Sequence, residues 1–141
     1  MNLVDTNLLL YAVNERSDRH EVSRLWLDRS LSGGAPVGFS WIVLLAFVRL
    51  ATKRSIFPTP LDTERAFDCV DAWLSSPAAS VVEPGARHAS IMRELLLAAG
   101  TAGNLVNDAH LAALAIEHRG TVVSYDSDFE RFRGLSWSSP S

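Results

Sequence analysis

The chain lacks several features that would direct its interpretation elsewhere. It has a single cysteine, Cys69, and therefore no internal disulfide. That thiol falls on an apolar helical face with Val70 and Trp73, which indicates a packed side chain. The longest apolar run, 41–48, is well short of the roughly 20 residues that a membrane-spanning helix needs. No basic segment followed by a long apolar core marks the N-terminus as a secretory signal. We expect a cytoplasmic protein without membrane contact.

The chain also lacks an excess of positive charge. It carries 13 Lys and Arg against 16 Asp and Glu, for a net charge of −3. A protein of this charge does not attract nucleic acid through its overall field, so any contact with a polyanion must be local. The apolar fraction of 48% and charged fraction of 21% exclude a disordered chain. The length fits one domain spanning residues 1–141.

The hydrophobic pattern predicts strands that alternate with pairs of helices. The predicted strands are 2–5, 36–39, 80–82 and 121–125, with a further edge strand at 135–137. The predicted helices are 7–13, 17–31, 41–52, one opening at 62–63, one ending at Gly100, and 108–119, with a helical turn at 129–132. This order predicts a three-layer α/β/α domain around a mostly parallel sheet of four to five strands.

Three aspartates stand at junctions between apolar stretches and predicted helix starts. Asp5 closes the first strand, Asp126 follows the strand 121–125, and Asp108 opens an alanine- and leucine-rich helix. The carboxyl ends of parallel strands and the following helix starts share one edge of a sheet, so these side chains can meet there. Carboxylates without a thiolate or a set of histidines favour a hard divalent cation. The pattern indicates a metal-dependent enzyme that acts on phosphate esters.

Three motifs give the chain a family resemblance. They are V-D-T-N at 4–7, N-L-V-N-D-A at 104–109 and S-Y-D-S-D-F at 124–129. In this order and spacing the chain resembles the PIN-domain ribonucleases, and more narrowly the VapC-type toxins of bacterial type II toxin–antitoxin systems. The resemblance covers essentially the whole chain and implies a PIN-like fold.

The resemblance also implies an activity and partners. It implies Mg²⁺- or Mn²⁺-dependent endoribonuclease activity, a cognate VapB-type antitoxin that neutralises it, and a homodimer. Asp5 and Asp108 resemble direct metal ligands, Asp126 the third acidic position, and Asp128 an additional ligand. Phosphodiester hydrolysis needs an activated water and stabilised negative charge, and divalent cations supply both.

Structural explanations compete at each of these positions. Asp commonly caps helices, which is an equally good explanation for Asp5, Asp108 or Asp126 taken alone. Asp128 can be read as the cap of the turn at 129–132. For Asn7 and Ser124 we expect local turn bonding rather than a role in the site. The four histidines fall on three predicted helices without ligand spacing, and we interpret His110 and His118 as ordinary helical residues.

One departure from the family pattern leaves the number of ions open. PIN domains usually carry a glutamate on the helix after the second strand, shortly before a basic residue. Here Phe47 stands where that glutamate is expected, shortly before Arg49, and would place an apolar ring near the site. A one-ion site is as credible as a two-ion site. The alternative function is a catalytically degenerate PIN protein that acts as an RNA- or protein-binding module. A phosphotransfer or receiver domain ranks last, because Asp5-Thr6-Asn7 lacks the Asp-x-Asp of the aspartyl phosphatases.

The candidates for RNA contact are basic residues near the predicted site. They are Arg16, Arg49, Lys53 and Arg54. Cations near a helix C-terminus also complement its dipole, and Arg49 has the further option of pairing with the acidic cluster. Trp26 and Trp41 are expected in the core, with an exposed partner groove as the alternative.

Overall fold

A computed structural model describes all 141 residues and contains one five-stranded sheet in which every pair of neighbours is parallel. The strands are β1 (Asn2–Val4), β2 (Val37–Phe39), β3 (Ala79–Val81), β4 (Thr121–Val123) and β5 (Ser136–Ser138). Their spatial order is β3-β2-β1-β4-β5. In the central strand, Leu3 lies opposite Gly38 of β2 and Val122 of β4. The predicted parallel sheet and its edge strand are confirmed.

Six α-helices and two 3-10 turns connect the strands. The helices are α1 (Thr6–Val13), α2 (His20–Leu31), α3 (Trp41–Ala51), α4 (Thr63–Leu74), α5 (His88–Ala99) and α6 (Val106–Glu117). The 3-10 turns are Gly103–Leu105, before α6, and Ser127–Arg131, after β4. None of the helices is long and apolar enough to cross a membrane.

Several helix ends follow from the residues that flank them. The Asp62 carboxylate accepts a hydrogen bond from the Arg65 backbone N–H at 2.8 Å and caps α4, as predicted. Gly100 ends α5 in the left-handed region, at a φ of +77°. The predicted cap of α2 at 17–18 is wrong, because the Ser17 hydroxyl accepts from the Arg19 N–H within a preceding turn. The helix therefore begins only at His20.

The order of the strands fixes where the helices lie. Successive connections run from β1 to β2 to β3 in one direction, and then return across the sheet to β4 and β5. Because parallel crossovers are right-handed, α1 to α4 cover one face and α5 and α6 cover the other. The direction reverses between β1 and β4, and ligands of open α/β sheets bind outside the strand ends at such a point. Asp5 and Asp126 follow these two strands.

One core of 27 buried residues joins both faces of the sheet. On the face of α3 and α4, the Trp73 ring contacts Phe47 at a centroid distance of 4.8 Å and stacks on Phe39 at 6.4 Å. Trp26 packs against this core while partly exposed. The prediction of a buried Trp41 is wrong: this residue is 43% exposed, because it lies in the first turn of α3 on the side turned away from the core.

The histidines take part in helix packing. His88 Nε2 and His110 Nδ1 lie 2.9 Å apart where α5 contacts α6, and His118 Nε2 lies 2.8 Å from the Glu83 carbonyl oxygen. Burial, and then the neighbouring His88, lowers the pKa of His110. These contacts support the interpretation of His110 and His118 as structural.

Candidate metal centre

Three of the predicted carboxylates converge at the carboxyl end of the sheet. Asp108, Asp126 and Asp128 each offer an oxygen that lies within 4.8 Å of the other two. Asp126 follows β4, Asp128 lies in the next turn, and Asp108 lies in the first turn of α6. The fold thus assembles one acidic cluster, hereafter the carboxylate centre, from two distant parts of the chain.

Asp5 borders this centre from the end of β1. Its Oδ1 accepts from the Thr6 N–H at 2.8 Å and its Oδ2 accepts from the Ser124 hydroxyl at 2.7 Å. Asp5 lies outside the group of three mutually close oxygens, yet it lines the same cleft as Asp108. The charge of Asp5 contributes, after burial, to the raised pKa of Asp108. The charge of Asp126 contributes in the same way to the raised pKa of Asp5. Asp5 is therefore coupled electrostatically to two members of the centre, Asp108 and Asp126.

Helix capping explains only part of this arrangement. Asp5 caps α1, and the Asp126 Oδ1 caps the following 3-10 turn by accepting from the Asp128 N–H at 2.9 Å. The expectation that Asp128 caps that turn is wrong, because its backbone is the donor and Asp126 is the acceptor. Asp108 accepts no hydrogen bond from any protein group, since α6 begins two residues earlier, at Val106, and not at Asp108 as predicted. Capping therefore leaves Asp108 unexplained.

The electrostatics of the centre call for a cation. Burial raises the pKa of Asp108 to about 6, and the charges of Asp5, Asp126 and Asp128 contribute. Burial also raises the pKa of Asp5, against the opposing hydrogen bonds from Ser124 and Thr6. No basic side chain neutralises this charge, because the ion pairs of the molecule join Arg24 to Glu21 and Asp28. The alternative in which Arg49 pairs with the cluster is wrong, because Arg49 forms no ion pair.

The chemistry of the donors fits a hard divalent cation. The ligand atoms available are carboxylate oxygens, with no thiolate or imidazole among them. Beside them is a cleft of about 90 Å³, which has room for a hydrated ion. Besides Asp5 and Asp108, the cleft is lined by the apolar residues Ile42, Val43, Ala46 and Leu111 and by the polar residues Thr6 and Asn107.

The side chain of Phe47, at the position expected to carry a glutamate, points elsewhere than predicted. Phe47 does not lie near the site: it is fully buried and packs on Trp73. Adjacent helix residues point about 100° apart, so the preceding residue, Ala46, faces the cleft instead. A methyl group, and not an aromatic ring, therefore stands where a further carboxylate would reach the centre.

A polar network that the sequence did not reveal positions Asp5. The buried Ser124 hydroxyl donates to Asp5 and accepts from the Asn7 side-chain amide at 3.0 Å and from the Asp126 N–H at 3.0 Å. The Asn7 Oδ1 in turn accepts from the Tyr125 N–H at 3.2 Å. The prediction of local turn bonding is therefore wrong for Asn7, whose side chain binds Ser124 and Tyr125. It is only partly right for Ser124, which binds the nearby Asp126 N–H but also connects the end of β4 to the start of α1. The sequence offered no signal for a pairing over 117 residues.

None of the predicted basic residues lines the cleft or belongs to the carboxylate centre. Arg16 lines a separate depression with Glu15 and Phe57, while Arg49, Lys53 and Arg54 are exposed. Arg19 was not among the predicted residues, and its guanidinium lies over the rings of Tyr125 and Tyr11. Its position next to aromatic faces depends on the fold and has no local sequence signal.

Comparison with known proteins is consistent over the whole chain. The model of the family described as PIN domain matches residues 3–135. Ribonuclease VapC37 of Mycobacterium tuberculosis is 57% identical over 140 residues, covering 99% of this chain and 97% of the relative. Ribonuclease VapC33 of the same species is 37% identical over 140 residues, covering 99% of this chain and 98% of the relative.

Solved structures share the fold at low identity. VapBC2 from Rickettsia felis, bound to a DNA fragment from its promoter, superposes with a TM-score of 0.70 at 23% identity, covering 99% of this chain and 98% of that chain. The sarcin–ricin-loop-cleaving toxin VapC20 of Mycobacterium tuberculosis gives a TM-score of 0.68 at 21% identity, covering 96% of this chain and 99% of that chain. At these identities the likeness establishes the fold alone.

Proposed function

The chain belongs to the PIN-domain family, among its VapC ribonucleases, and we propose that it is a toxin that hydrolyses RNA phosphodiester bonds with Mg²⁺ or Mn²⁺ at the carboxylate centre. The observation that carries the proposal is the convergence of Asp108, Asp126 and Asp128 within 4.8 Å, without a neutralising basic side chain. Cleavage within the RNA chain suits a centre at the open edge of a sheet.

Each carboxylate has a proposed role that follows from its surroundings. Asp108 and Asp5 would hold the ion directly, Asp126 would complete the set, and Asp128 would add an oxygen from the exposed side. A divalent ion, when bound, supplies charge stabilisation for the phosphoryl oxygens and lowers the pKa of water. Ser124 and the Thr6 N–H orient Asp5, so that its remaining lone pairs point in fixed directions. The apolar wall of Ile42, Val43 and Leu111 lowers the local dielectric and strengthens these charges.

The test is cleavage of total cellular RNA by the purified chain with Mg²⁺, with Mn²⁺ and with EDTA. We expect discrete fragments that require metal, persist in Asp71→Asn and disappear in Asp5→Asn and Asp108→Asn. Asp71 is a matched control, because it is an exposed aspartate of α4 far from the centre in sequence. Absence of cleavage with either metal, from folded protein free of other chains, would refute the nuclease.

One observation favours the alternative, a binding module. Ala46 leaves the α3 side of the cleft without a carboxylate. In that case the chain would bind RNA or a protein without cutting it, and binding would survive Asp108→Asn. The same RNA assay separates the two functions, since the module yields no metal-dependent fragments.

We also propose that a VapB-type antitoxin neutralises the chain by covering exposed apolar residues of α2 and α3. These helices both pack against α1, which begins at the carboxylate centre. The residues are Val22 (42% exposed), Leu25 (41%), Trp41 (43%) and Leu45 (58%). The relatives' structures that contain VapBC pairs support this partner.

The antitoxin proposal is tested by co-expression with the small protein encoded beside this chain. We expect a co-purifying complex that suppresses RNA cleavage, and weaker association for Trp41→Gln and Leu45→Gln. Leu97→Gln is the control, because Leu97 is 73% exposed but lies on α5. Sedimentation of the isolated chain tests the proposed homodimer.

A further inference from the structure

An arginine lies over two aromatic rings, one of which belongs to Tyr125, the residue that precedes Asp126 of the carboxylate centre. The Arg19 guanidinium carbon is 4.6 Å from the centroid of the Tyr125 ring and 5.4 Å from that of Tyr11. The two tyrosines contact each other edge to face at 5.2 Å. We call these three residues the Arg19 cluster. Cation–π contacts restrict the guanidinium while leaving the N–H groups at its edge free to donate.

The charge of Arg19 has no acidic partner in the fold. Arg19 makes no ion pair, because the ion pairs of the molecule belong to Arg24. It also occupies the position just before α2 and makes no side-chain cap there. A cation is unfavourable at this end of a helix, where the peptide dipoles already place positive charge.

The Arg19 cluster is fixed relative to the carboxylate centre. Tyr125 directly precedes Asp126, and its N–H donates to Asn7, which also binds the Ser124 hydroxyl that orients Asp5. At the other end of its side chain, the Tyr125 hydroxyl lies 2.7 Å from the Ser23 hydroxyl of α2. The aromatic support of Arg19 and the acidic site therefore belong to one bonded unit.

We infer that Arg19 is a substrate-positioning residue that binds an RNA phosphate next to the one cleaved at the carboxylate centre. This inference rests on the proposed ribonuclease function and adds to it the means by which an acidic protein holds a polyanion. The free edge of the guanidinium presents paired N–H donors that match the two unbridged oxygens of a phosphodiester. The positive charge also offsets, on the approach side, the repulsion between RNA and the four carboxylates.

The experiment measures RNA binding and RNA cleavage separately. Binding of a fluorescein-labelled single-stranded RNA is followed by anisotropy in Mg²⁺, with Asp108→Asn as the parent so that the RNA stays intact. In that parent, Arg19→Gln, Arg19→Lys and Arg29→Gln are compared from about 50 to 200 mM salt. Arg29 is the matched control, because it is an exposed arginine near the other end of the same helix.

We expect Arg19→Gln to weaken binding about tenfold and to reduce the slope of log K against log salt by about 0.7. Arg19→Lys should keep the slope and lose part of the affinity, and Arg29→Gln should change neither. In the cleaving chain, Arg19→Gln should raise KM and leave kcat nearly unchanged. Thermal melts of the variants should coincide, because Arg19 is exposed.

The outcomes that overturn the inference differ from those that overturn the nuclease. Equal RNA affinities and salt slopes for Arg19→Gln and Arg29→Gln refute the inference. Weaker RNA binding by Arg19→Gln without a change in salt slope also refutes it, because such a defect comes from lost base stacking or from altered structure and not from a lost phosphate contact. A parent that binds no RNA at any salt also refutes it. Failure of the wild type to cleave, with binding that still depends on Arg19, refutes the nuclease and leaves the phosphate contact standing.

Discussion

Among the carboxylates of the centre, Asp108 has the pKa that the fold raises most. That pKa is raised from 3.8 to about 6, chiefly by burial and then by the other three charges. Between these two pH values the folded chain binds more protons than the unfolded chain. The stability of the metal-free protein therefore falls as pH rises from about 4 to 6, and the full penalty is present above pH 6.

The first prediction concerns Asp108→Asn. This change removes a charge that has no hydrogen-bond donor, so the metal-free variant should be more stable than the wild type at pH 7. The expected gain is about 1–2 kcal/mol, allowing for solvent screening of this half-buried group. The measurement is urea unfolding in EDTA at several pH values. The difference should disappear below about pH 4, where the wild-type carboxyl is protonated in both states. A variant destabilised at pH 7 would show that Asp108 is a structural residue.

The second prediction tests which residue of α3 faces the centre. Ala46→Glu should add a carboxylate to the cleft, strengthen Mg²⁺ binding and destabilise the metal-free protein by about 1 kcal/mol through repulsion. Calorimetric titration with Mg²⁺ measures the first effect and urea unfolding the second. Ala46→Gln, which fills the same space without charge, is the control. Unchanged Mg²⁺ affinity in Ala46→Glu would mean that this position does not reach the ion.

Phe47→Glu tests whether position 47 of α3, next to Ala46, can reach the centre. Phe47 is fully buried against Trp73, so a charge there should cost at least 3–5 kcal/mol and no Mg²⁺ titration should rescue it. Thermal melts with and without Mg²⁺ give the comparison. A folded Phe47→Glu variant with improved Mg²⁺ binding would restore the interpretation based on sequence alone.

At the scale of elements, the end of β4 and the start of α1 form one hydrogen-bonded unit through Ser124. The third prediction is that Ser124→Ala destabilises the protein by about 1–2 kcal/mol, because Asp5, Asn7 and the Asp126 N–H each lose a partner at a buried position. RNA cleavage should slow by about ten- to hundredfold as Asp5 loses its orientation. Ser75→Ala, which removes a hydroxyl bonded only to the nearby Ala72 carbonyl, should change neither quantity.

The sequence was informative where a local signal coincided with the global fold. Alternating apolar strands and capped helices predicted the parallel sheet, and the carboxyl ends of β1 and β4 identified Asp5 and Asp126 in advance. The start of α6 was predicted two residues late, because the 3-10 turn at Gly103–Leu105 begins the helical path before the Asn-Asp pair that resembles a cap. That shift turned Asp108 from an apparent cap into a carboxylate without a donor.

Two features of the site could not be predicted from local sequence patterns. On α3, a shift of one residue rotates a side chain by about 100°, so choosing between Ala46 and Phe47 required the packing of Phe47 on Trp73. The Ser124–Asn7 bond and the Arg19 cluster join residues that are more than a hundred positions apart along the chain. Contacts of that kind follow from strand order, which a single sequence does not specify.

At the scale of the whole molecule, the negative net charge and the proposed substrate impose opposite demands. RNA must approach an edge of the sheet that carries four carboxylates on a chain of net charge −3. A divalent ion bound there would offset part of this negative charge, and Arg19 would add positive charge on the side of Tyr125. The topology makes this possible, because the switch point between β1 and β4 brings the starts of α1 and α6 to the same edge.

The fourth prediction follows from repulsion among the carboxylates. Two such charges about 5 Å apart at an effective dielectric near 20 repel by roughly 3 kcal/mol, and a bound cation converts that repulsion into attraction. Because the ion binds the folded chain alone, Mg²⁺ or Mn²⁺ at about a hundredfold excess over its Kd should raise stability by about 2.7 kcal/mol and Tm by about 5–10 °C. Calorimetric scans at increasing metal concentration measure this rise. It should be abolished in Asp108→Asn and retained in Asp71→Asn. It should also weaken below about pH 6, where protons compete for Asp108. An equal rise in both variants would assign the metal to scattered surface carboxylates and remove the basis for a nuclease centre at this edge.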